Sequence, residues 1–372
     1  MFRLSNLIKS TFANEQSRAL NGNIAIWNLT NRCNLHCLHC YSKASLDSDD
    51  LLNTTKIFSI LDDFADNKIK FVIFSGGEPL VRKDIFDIAK YAKQKGIVTY
   101  LSSNGLYINK SNAKEIVENF NYIGVSIDGD EDSHDYFRGL KGSFKKSIEG
   151  MRYIQDAGGK VGIRFTMTKT NIQSLPFVFA LSKKEGFAKI YLSHLVYSGR
   201  GAENIAIDLS KEQRKEAVDF IIQKAFEYYQ NGDDIEIVTG NMECDAISLW
   251  KYFQQHYPQY SEKLLEKLKN WGGNSAGNKL FNIDSFGNVK PDPFFPRVLG
   301  NIFQSPFGSI WNDAQNELLN ALKKTPRTLE GRCGNCKFID ICNGGSRSRA
   351  FAVSGNLWAE DPSCYLSKEE IL

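Results

Sequence analysis

Cys33-Asn34-Leu35-His36-Cys37-Leu38-His39-Cys40 follows directly on the apolar run Ile24-Ala25-Ile26-Trp27-Asn28-Leu29. A short apolar run of this kind reads as a buried strand, so the cysteines fall in the loop past its end. Their spacing is C-x3-C-x2-C. Three thiolates can hold three corners of a 4Fe–4S cube and leave the fourth iron open, whereas a fully thiolate-ligated cluster only relays electrons. An open iron at low potential can bind a small molecule and pass it an electron, so this stretch predicts reductive radical chemistry. Zinc is the alternative, with His36 or His39 as fourth ligand. Structural zinc sites usually draw two pairs of ligands from two places, and no second pair lies near this loop.

A second apolar run, Phe71-Val72-Ile73-Phe74, leads into Ser75-Gly76-Gly77-Glu78-Pro79. Two glycines past a strand let backbone approach a ligand closely, and the Glu78 carboxylate suits an ammonium group. Further strand-like runs are Val98–Leu101, Tyr122–Ile127, Val161–Met167 and Ile190–His194. Helical periodicity lies between them, as in Phe144–Gln155, where Phe144, Ile148, Met151 and Ile154 share a face. Six β–α repeats predict an α/β fold, a partial (β/α)6 barrel left open because two of eight repeats are missing. Chemistry in such barrels sits at the C-terminal strand ends, where both loops fall. Ser102-Ser103-Asn104-Gly105 follows the third strand and Ser126-Ile127-Asp128-Gly129 closes the fourth. Asn104 and Asp128 stand equally well as turn formers. Arg138 reads as a surface salt-bridging residue.

Lys plus Arg number 46 and Asp plus Glu 43, a net charge of +3, too balanced to argue for a nucleic-acid partner. The N-terminus has no continuous apolar h-region, so no secretion signal is expected. No apolar run approaches the about 20 residues of a membrane span. Eight cysteines, seven of them in two groups, predict metal sites in a reducing cytoplasm rather than disulfides.

Beyond about residue 210 the pattern changes. Ser210–Gln230 and Ser261–Asn270 read as helices around a short strand, Ile235–Val238, and a hairpin is expected through Leu280–Ile283, Phe286-Gly287-Asn288 and Val289. Then comes Cys333-Gly334-Asn335-Cys336-x5-Cys342, with Cys364 after twenty-one intervening residues. Four thiolates close the coordination of a cluster, while a zinc ribbon would need a second C-x2-C pair. Cys244 is left over and reads as a buried structural thiol.

The cysteine triplet and the Gly-Gly-Glu-Pro segment together resemble the radical S-adenosylmethionine (radical SAM) superfamily. The resemblance implies that Cys33, Cys37 and Cys40 hold a 4Fe–4S cluster whose open iron chelates S-adenosylmethionine. It further implies that Gly76, Gly77, Glu78 and Pro79 hold the methionine amino group, and that Ser126 and Asn104 line the ribose and carboxylate. Cys333, Cys336, Cys342 and Cys364 resemble the SPASM or twitch extension of these enzymes. Ser346 stands where a further SPASM cysteine falls, and the stretch from Asn274 to Asp292 has none. That pattern implies one auxiliary cluster instead of two. The division is then a lead segment 1–22, a radical SAM barrel 23–210, a helical connecting segment 211–270 and an auxiliary cluster domain 271–372.

Asn28–Ser42, Leu192–Gly201, Gly331–Cys336 and Trp358–Leu366 resemble the radical SAM enzymes of heme d1 biosynthesis. That resemblance implies an iron–sulfur oxidoreductase that removes propionate side chains from didecarboxysiroheme through a 5′-deoxyadenosyl radical, with an electron donor such as flavodoxin or ferredoxin. Alternatives are the didecarboxysiroheme deacetylase of the alternative heme b pathway and a peptide-modifying SPASM enzyme. Peptide-modifying enzymes often carry an N-terminal recognition domain, for which the roughly 22 residues ahead of Ile24 are too few. A flat, iron-bearing polyanion needs arginines for its carboxylates, an apolar cleft and an imidazole for its iron. Arg164, His194, Tyr197, Arg200, Arg347 and Arg349 are the candidates, with Phe294, Phe295 and Arg297 beside them.

Overall fold

The computed structural model describes residues 1–13 and 22–372; residues 14–21, part of the expected lead segment, lie outside the described residues. Ten strands form one sheet. They are β1 (Ile24–Asn28), β2 (Phe71–Ser75), β3 (Val98–Ser103), β4 (Tyr122–Ser126), β5 (Val161–Met167), β6 (Lys189–His194), β7 (Glu236–Gly240), β8 (Leu280–Ile283), β9 (Asn288–Lys290) and β10 (Gly300–Asn301). Their order is β10-β9-β8-β1-β2-β3-β4-β5-β6-β7. Every pairing from β8 through β1 to β7 is parallel. The expected hairpin is β8–β9, antiparallel with Ile283 opposite Val289.

The six expected strands are all present. Two more join them, because β7 pairs β6 and β8 pairs β1. β7 comes from the stretch read as a helical connection and β8 from the one read as the auxiliary domain. β7 continues the ordinary β–α order after β6, whereas β8 is a short run whose partner β1 is distant in sequence, so no local pattern announces that pairing.

Alternation along the strands separates two faces. Ala25, Trp27, Val72, Phe74, Ile123, Val125, Ile163, Phe165, Ile190 and Leu192 are buried against helices. Trp27, for example, lies 5.4 Å from Phe64 on helix Thr54–Asp66, ring to ring. The opposite face, in register across the sheet, carries Ser126, Arg164 and Tyr191, and these are half-buried. The inner face is therefore polar along β4–β6, while Ile24, Ile26, Phe71 and Ile73 make it apolar along β1 and β2.

The β7 edge is covered. The Phe2 N–H donates to the Thr239 carbonyl at 2.8 Å, and the Thr239 N–H donates back at 2.9 Å. Ser5, on helix Leu4–Phe12, accepts from the Ile237 N–H at 2.9 Å. An unpaired parallel edge would otherwise be a template for aggregation. Among the described residues no helix is long and apolar enough to cross a membrane.

Candidate active site

The cysteine loop leaves β1 and is clasped by the loop leaving β2. The Gly77 N–H donates to the Thr30 carbonyl and the Glu78 N–H to the Arg32 carbonyl, each at 2.8 Å. A Cβ on Gly77 would stand 2.2 Å from the Arg32 oxygen and 2.9 Å from the Cys33 Cβ. Glycine is required there by close approach. The Asn104 side chain donates to Asn34 Oδ1 at 2.8 Å, so the β3 loop also ties down the cysteine loop.

Glu78 differs from expectation. It is fully buried, with Oε1 accepting from Ser103 Oγ at 2.9 Å and from the Leu80 N–H at 3.1 Å, and Oε2 accepting from the Asn104 N–H at 2.7 Å. Burial pushes its carboxyl up to about 7. Three donors occupy the side chain, so it staples β2 to β3. Asn104 is likewise committed to protein partners. Ser126 faces the lumen, half-buried, with no hydrogen bond among the described residues.

Cys33 and Cys37 are buried with Leu35 and Ala44, and Cys40 and Leu106 pack against them. Burial pushes the Cys33 thiol up to about 12. Arg138, expected at the surface, is buried. Its Nη1 lies 3.5 Å from Cys37 Sγ and its Nη2 pairs with Asp128, which also accepts from the Thr166 N–H at 2.8 Å. A guanidinium beside a ligand sulfur fits an anionic iron–sulfur cluster. His134 is buried, and its Nδ1 accepts from the Asp128 N–H at 3.0 Å. His36 is exposed and His39 stacks on Phe137 at 4.6 Å. Among the described residues no three His, Cys, Asp or Glu side chains converge as one metal ion would require. A single zinc draws its donors in to about 2.0–2.3 Å, whereas a cluster spreads its thiolates around a cube. The side chains gathered in both groups are thiols, the donor type an iron–sulfur cluster takes.

The second group surrounds a small cavity of about 30 Å³, lined by Cys333, Cys336, Cys342 and Cys364 and also by Cys244. Cys244 is buried, as expected, and lies beside the other four thiols, which sequence reading did not place near it. Gly273, at φ +68°, allows the Cys342 loop to lie against it; a Cβ would meet the Cys342 oxygen at 2.3 Å. Ser346 caps helix Arg347–Ser354, accepting from the Arg349 N–H. The stretch without cysteines is wired instead by buried Arg327, which donates to Asn274 Oδ1 at 2.9 Å and the Ala276 carbonyl at 2.7 Å.

Most of the expected substrate residues require correction. His194 shares the helix-facing side of β6 with Ile190 and Leu192, is 1% exposed, and its Nε2 lies 3.1 Å from Asp245 Oδ2. It is not open to a substrate iron. Arg200 donates from Nε to the Cys37 carbonyl at 2.8 Å and from Nη1 to the Ala44 carbonyl at 3.4 Å, so it braces the cysteine loop. Arg347 is spent on the Leu357 and Ala359 carbonyls at 2.9 and 2.6 Å. Arg349 forms a two-point pair with Asp361 at 2.9 and 2.7 Å and donates to the Leu195 carbonyl at 2.9 Å. The Tyr197 hydroxyl is held by Asp208 at 2.6 Å and Ser363 at 3.0 Å. Phe295 is core, while Phe294 meets Tyr41 edge-on at 5.1 Å.

Two arginines stand apart. The Arg164 guanidinium lies over the Tyr191 ring at 4.8 Å, on the lumen face, with no hydrogen bond or ion pair among the described residues. Arg297 is exposed, 5.9 Å from the Phe351 ring, and equally unpaired.

The pattern described as the radical SAM superfamily matches residues 27–176. The chain is 39% identical to the pre-heme d1 synthase of Dinoroseobacter shibae, across 100% of this chain and 93% of that protein. It is 38% identical to the Fe-coproporphyrin III synthase of Methanosarcina barkeri, across 94% of this chain and 89% of that protein. Among solved structures, Streptococcus suis SuiB bound to S-adenosylmethionine matches with a TM-score of 0.72, covering 93% of this chain and 77% of that one at 16% identity. At that identity the likeness concerns the fold alone.

Proposed function

The chain belongs to the radical SAM superfamily, and on that premise we propose that it acts in heme d1 biosynthesis, removing propionate side chains from didecarboxysiroheme. The observation that carries this reading is 39% identity to pre-heme d1 synthase along the whole chain. Superfamily membership implies a 4Fe–4S cluster and S-adenosylmethionine, which when bound supply a 5′-deoxyadenosyl radical able to take hydrogen from a substrate carbon. Cys33, Cys37 and Cys40 hold that cluster, with Arg138 offsetting charge at Cys37. The backbone of Gly76–Pro79 and the free Ser126 hydroxyl face S-adenosylmethionine, while Glu78 and Asn104 position those groups. Arg164 and Arg297 receive substrate carboxylates, being the two candidates with guanidinium groups not committed elsewhere.

Segment 23–210 delivers the radical chemistry and segment 271–372 holds one auxiliary cluster on Cys333, Cys336, Cys342 and Cys364. Segment 211–270 connects them and lends β7 to the sheet. The auxiliary cluster moves an electron to or from the substrate, because removing a side chain by hydrogen abstraction leaves an unpaired electron to be settled. A flavodoxin or ferredoxin in the cytoplasm reduces the chain.

The 38% identity to Fe-coproporphyrin III synthase favours a second reading, acetate removal from the same tetrapyrrole. Anaerobic incubation of the reconstituted protein with reductant, S-adenosylmethionine and didecarboxysiroheme separates the two. Mass spectrometry should find loss of propionate groups. Loss of acetate groups would replace the first reading with the second. An unchanged tetrapyrrole despite turnover of S-adenosylmethionine would overturn both.

A further inference from the structure

The inner face of the barrel uses one device twice. Tyr122 on β4 and Tyr191 on β6 stand on that face, and the hydroxyl end of each ring fills a place left by a strand glycine. A Cβ on Gly162 would stand 2.5 Å from the Tyr122 hydroxyl. A Cβ on Gly240 would stand 2.1 Å from the Tyr191 hydroxyl and 2.7 Å from its Cζ. Gly162 in β5 and Gly240 in β7 have ordinary strand backbone, so space and not conformation calls for glycine there. Each ring also carries a cation. Lys189 Nζ lies over the Tyr122 ring at 4.6 Å, and the Arg164 guanidinium over the Tyr191 ring at 4.8 Å.

The two copies differ in one respect. Lys189 is answered by Glu236 at 2.7 Å, which also pairs with Arg3. Arg164 pairs with no carboxylate among the described residues. Its stem is nevertheless confined, because a Cβ on Gly124 would stand 2.9 Å from Arg164 Cδ and 3.2 Å from its Cγ. A guanidinium resting on a ring keeps its charge and its in-plane N–H donors. An arginine already fixed in place loses less rotamer freedom when a ligand binds. The closed copy shows what such a cation takes, a carboxylate, and in the open copy that group is left for a ligand to bring.

We propose that Gly124, Tyr191 and Gly240 are positioning residues that preset Arg164 for a ligand carboxylate. The glycines make room for the Arg164 stem and the Tyr191 ring, and the ring holds the guanidinium where the carboxylate docks. The inference rests on the assignment of Arg164 to substrate carboxylates proposed above.

The test measures binding to the full chain, reconstituted anaerobically without S-adenosylmethionine so that nothing turns over. Didecarboxysiroheme and the same tetrapyrrole with its carboxyl groups methylated are titrated by absorbance. The ratio of the two affinities isolates charge recognition, since a fault in the fold weakens both alike. Wild type should prefer the free acid, and Arg164→Ala should cut that preference about ten- to hundredfold. An unchanged ratio in Arg164→Ala would overturn the assignment of Arg164 itself and this inference with it. Gly240→Ala displaces the Tyr191 ring and Gly124→Ala displaces the Arg164 stem, so each should cut the ratio about two- to tenfold. Adding Arg164→Ala to either should bring the ratio no lower than Arg164→Ala alone. A wild-type ratio in either glycine variant would show that the arginine is not preset through it. Losses that multiply with Arg164→Ala would show that the glycines act elsewhere, and either result overturns the inference. Where a glycine variant does not fold, the ring decides. Tyr191→Phe keeps the ring and should retain the preference, whereas Tyr191→Leu should lose it about two- to tenfold; equal ratios in these two variants would overturn the role of Tyr191.

Discussion

The two cysteine sites are built in opposite ways. The first gathers three thiols on one loop and closes its remaining sides with the backbone of neighbouring loops. Gly77 and Glu78 supply backbone contacts and Asn104 adds a side-chain one, and among the described residues no fourth thiol lines that group. The second gathers five thiols around one cavity. A site short of one ligand leaves an iron to react, and a site with more than four leaves none. The arginines divide in parallel. Arg138 and Arg200 brace the first site, Arg347 and Arg349 are engaged beside the second, and the Arg164 and Arg297 guanidinium groups meet only aromatic rings among the described residues.

The sharpest break in this comparison is at the first site. Cys37→Ala should abolish formation of 5′-deoxyadenosine while leaving about four irons on the chain. Full 5′-deoxyadenosine yield from a Cys37→Ala protein of normal iron content would remove the asymmetry altogether. Next come the arginines. Arg349→Ala leaves Asp361 as an uncompensated buried charge and should cost about 3–5 kcal/mol of stability, read as a lowered denaturation midpoint. Arg164→Ala should leave that midpoint nearly unchanged and weaken tetrapyrrole binding by about 1.5–3 kcal/mol, the worth of a hydrogen bond to a charged group. The opposite pattern would mean that the free and the bracing arginines have been exchanged.

A smaller effect separates the two sites by pH. Burial lowers His134 to about 3 from its ordinary 6.5. The unfolded chain therefore binds a proton below pH 6.5 that the folded chain refuses, and stability falls as the pH drops from there toward 3. Between pH 6.5 and 5 this amounts to roughly 2 kcal/mol. Relative to a His134→Asn variant, the wild type should lose stability over that interval; a constant difference would mean that His134 is not held neutral. The smallest effect is at Ser346. Ser346→Ala should cost about 1 kcal/mol through the lost helix cap and change the iron content not at all. A loss of iron would make Ser346 a ligand.

The metal chemistry was legible in the sequence because coordination demands a few residue types at short, fixed spacings. The six-strand repeat was legible from apolar runs between periodic helices. β7 and β8 were only half legible: both are short runs, and β8's partner lies far along the chain. The arginines were not legible. Arg347 and Arg349 are buried because they satisfy carbonyls and a carboxylate brought together by the fold, and nothing local distinguishes them from solvated residues. Cys244 was missed for the same reason, since a cavity is assembled only in three dimensions. His194 was readable but misread. Its strand alternates Ile190, Leu192, His194 on one side, and that parity already directs it toward the helices and away from the lumen.

One anaerobic reaction tests the asymmetry most directly, using a Cys336→Ala/Cys342→Ala protein whose iron has fallen from about eight to about four per chain. Both 5′-deoxyadenosine and the tetrapyrrole product are measured against wild type. The first should persist while the second falls. An equal loss of both, with the first cluster still in place, would contradict the division of labour between the two sites.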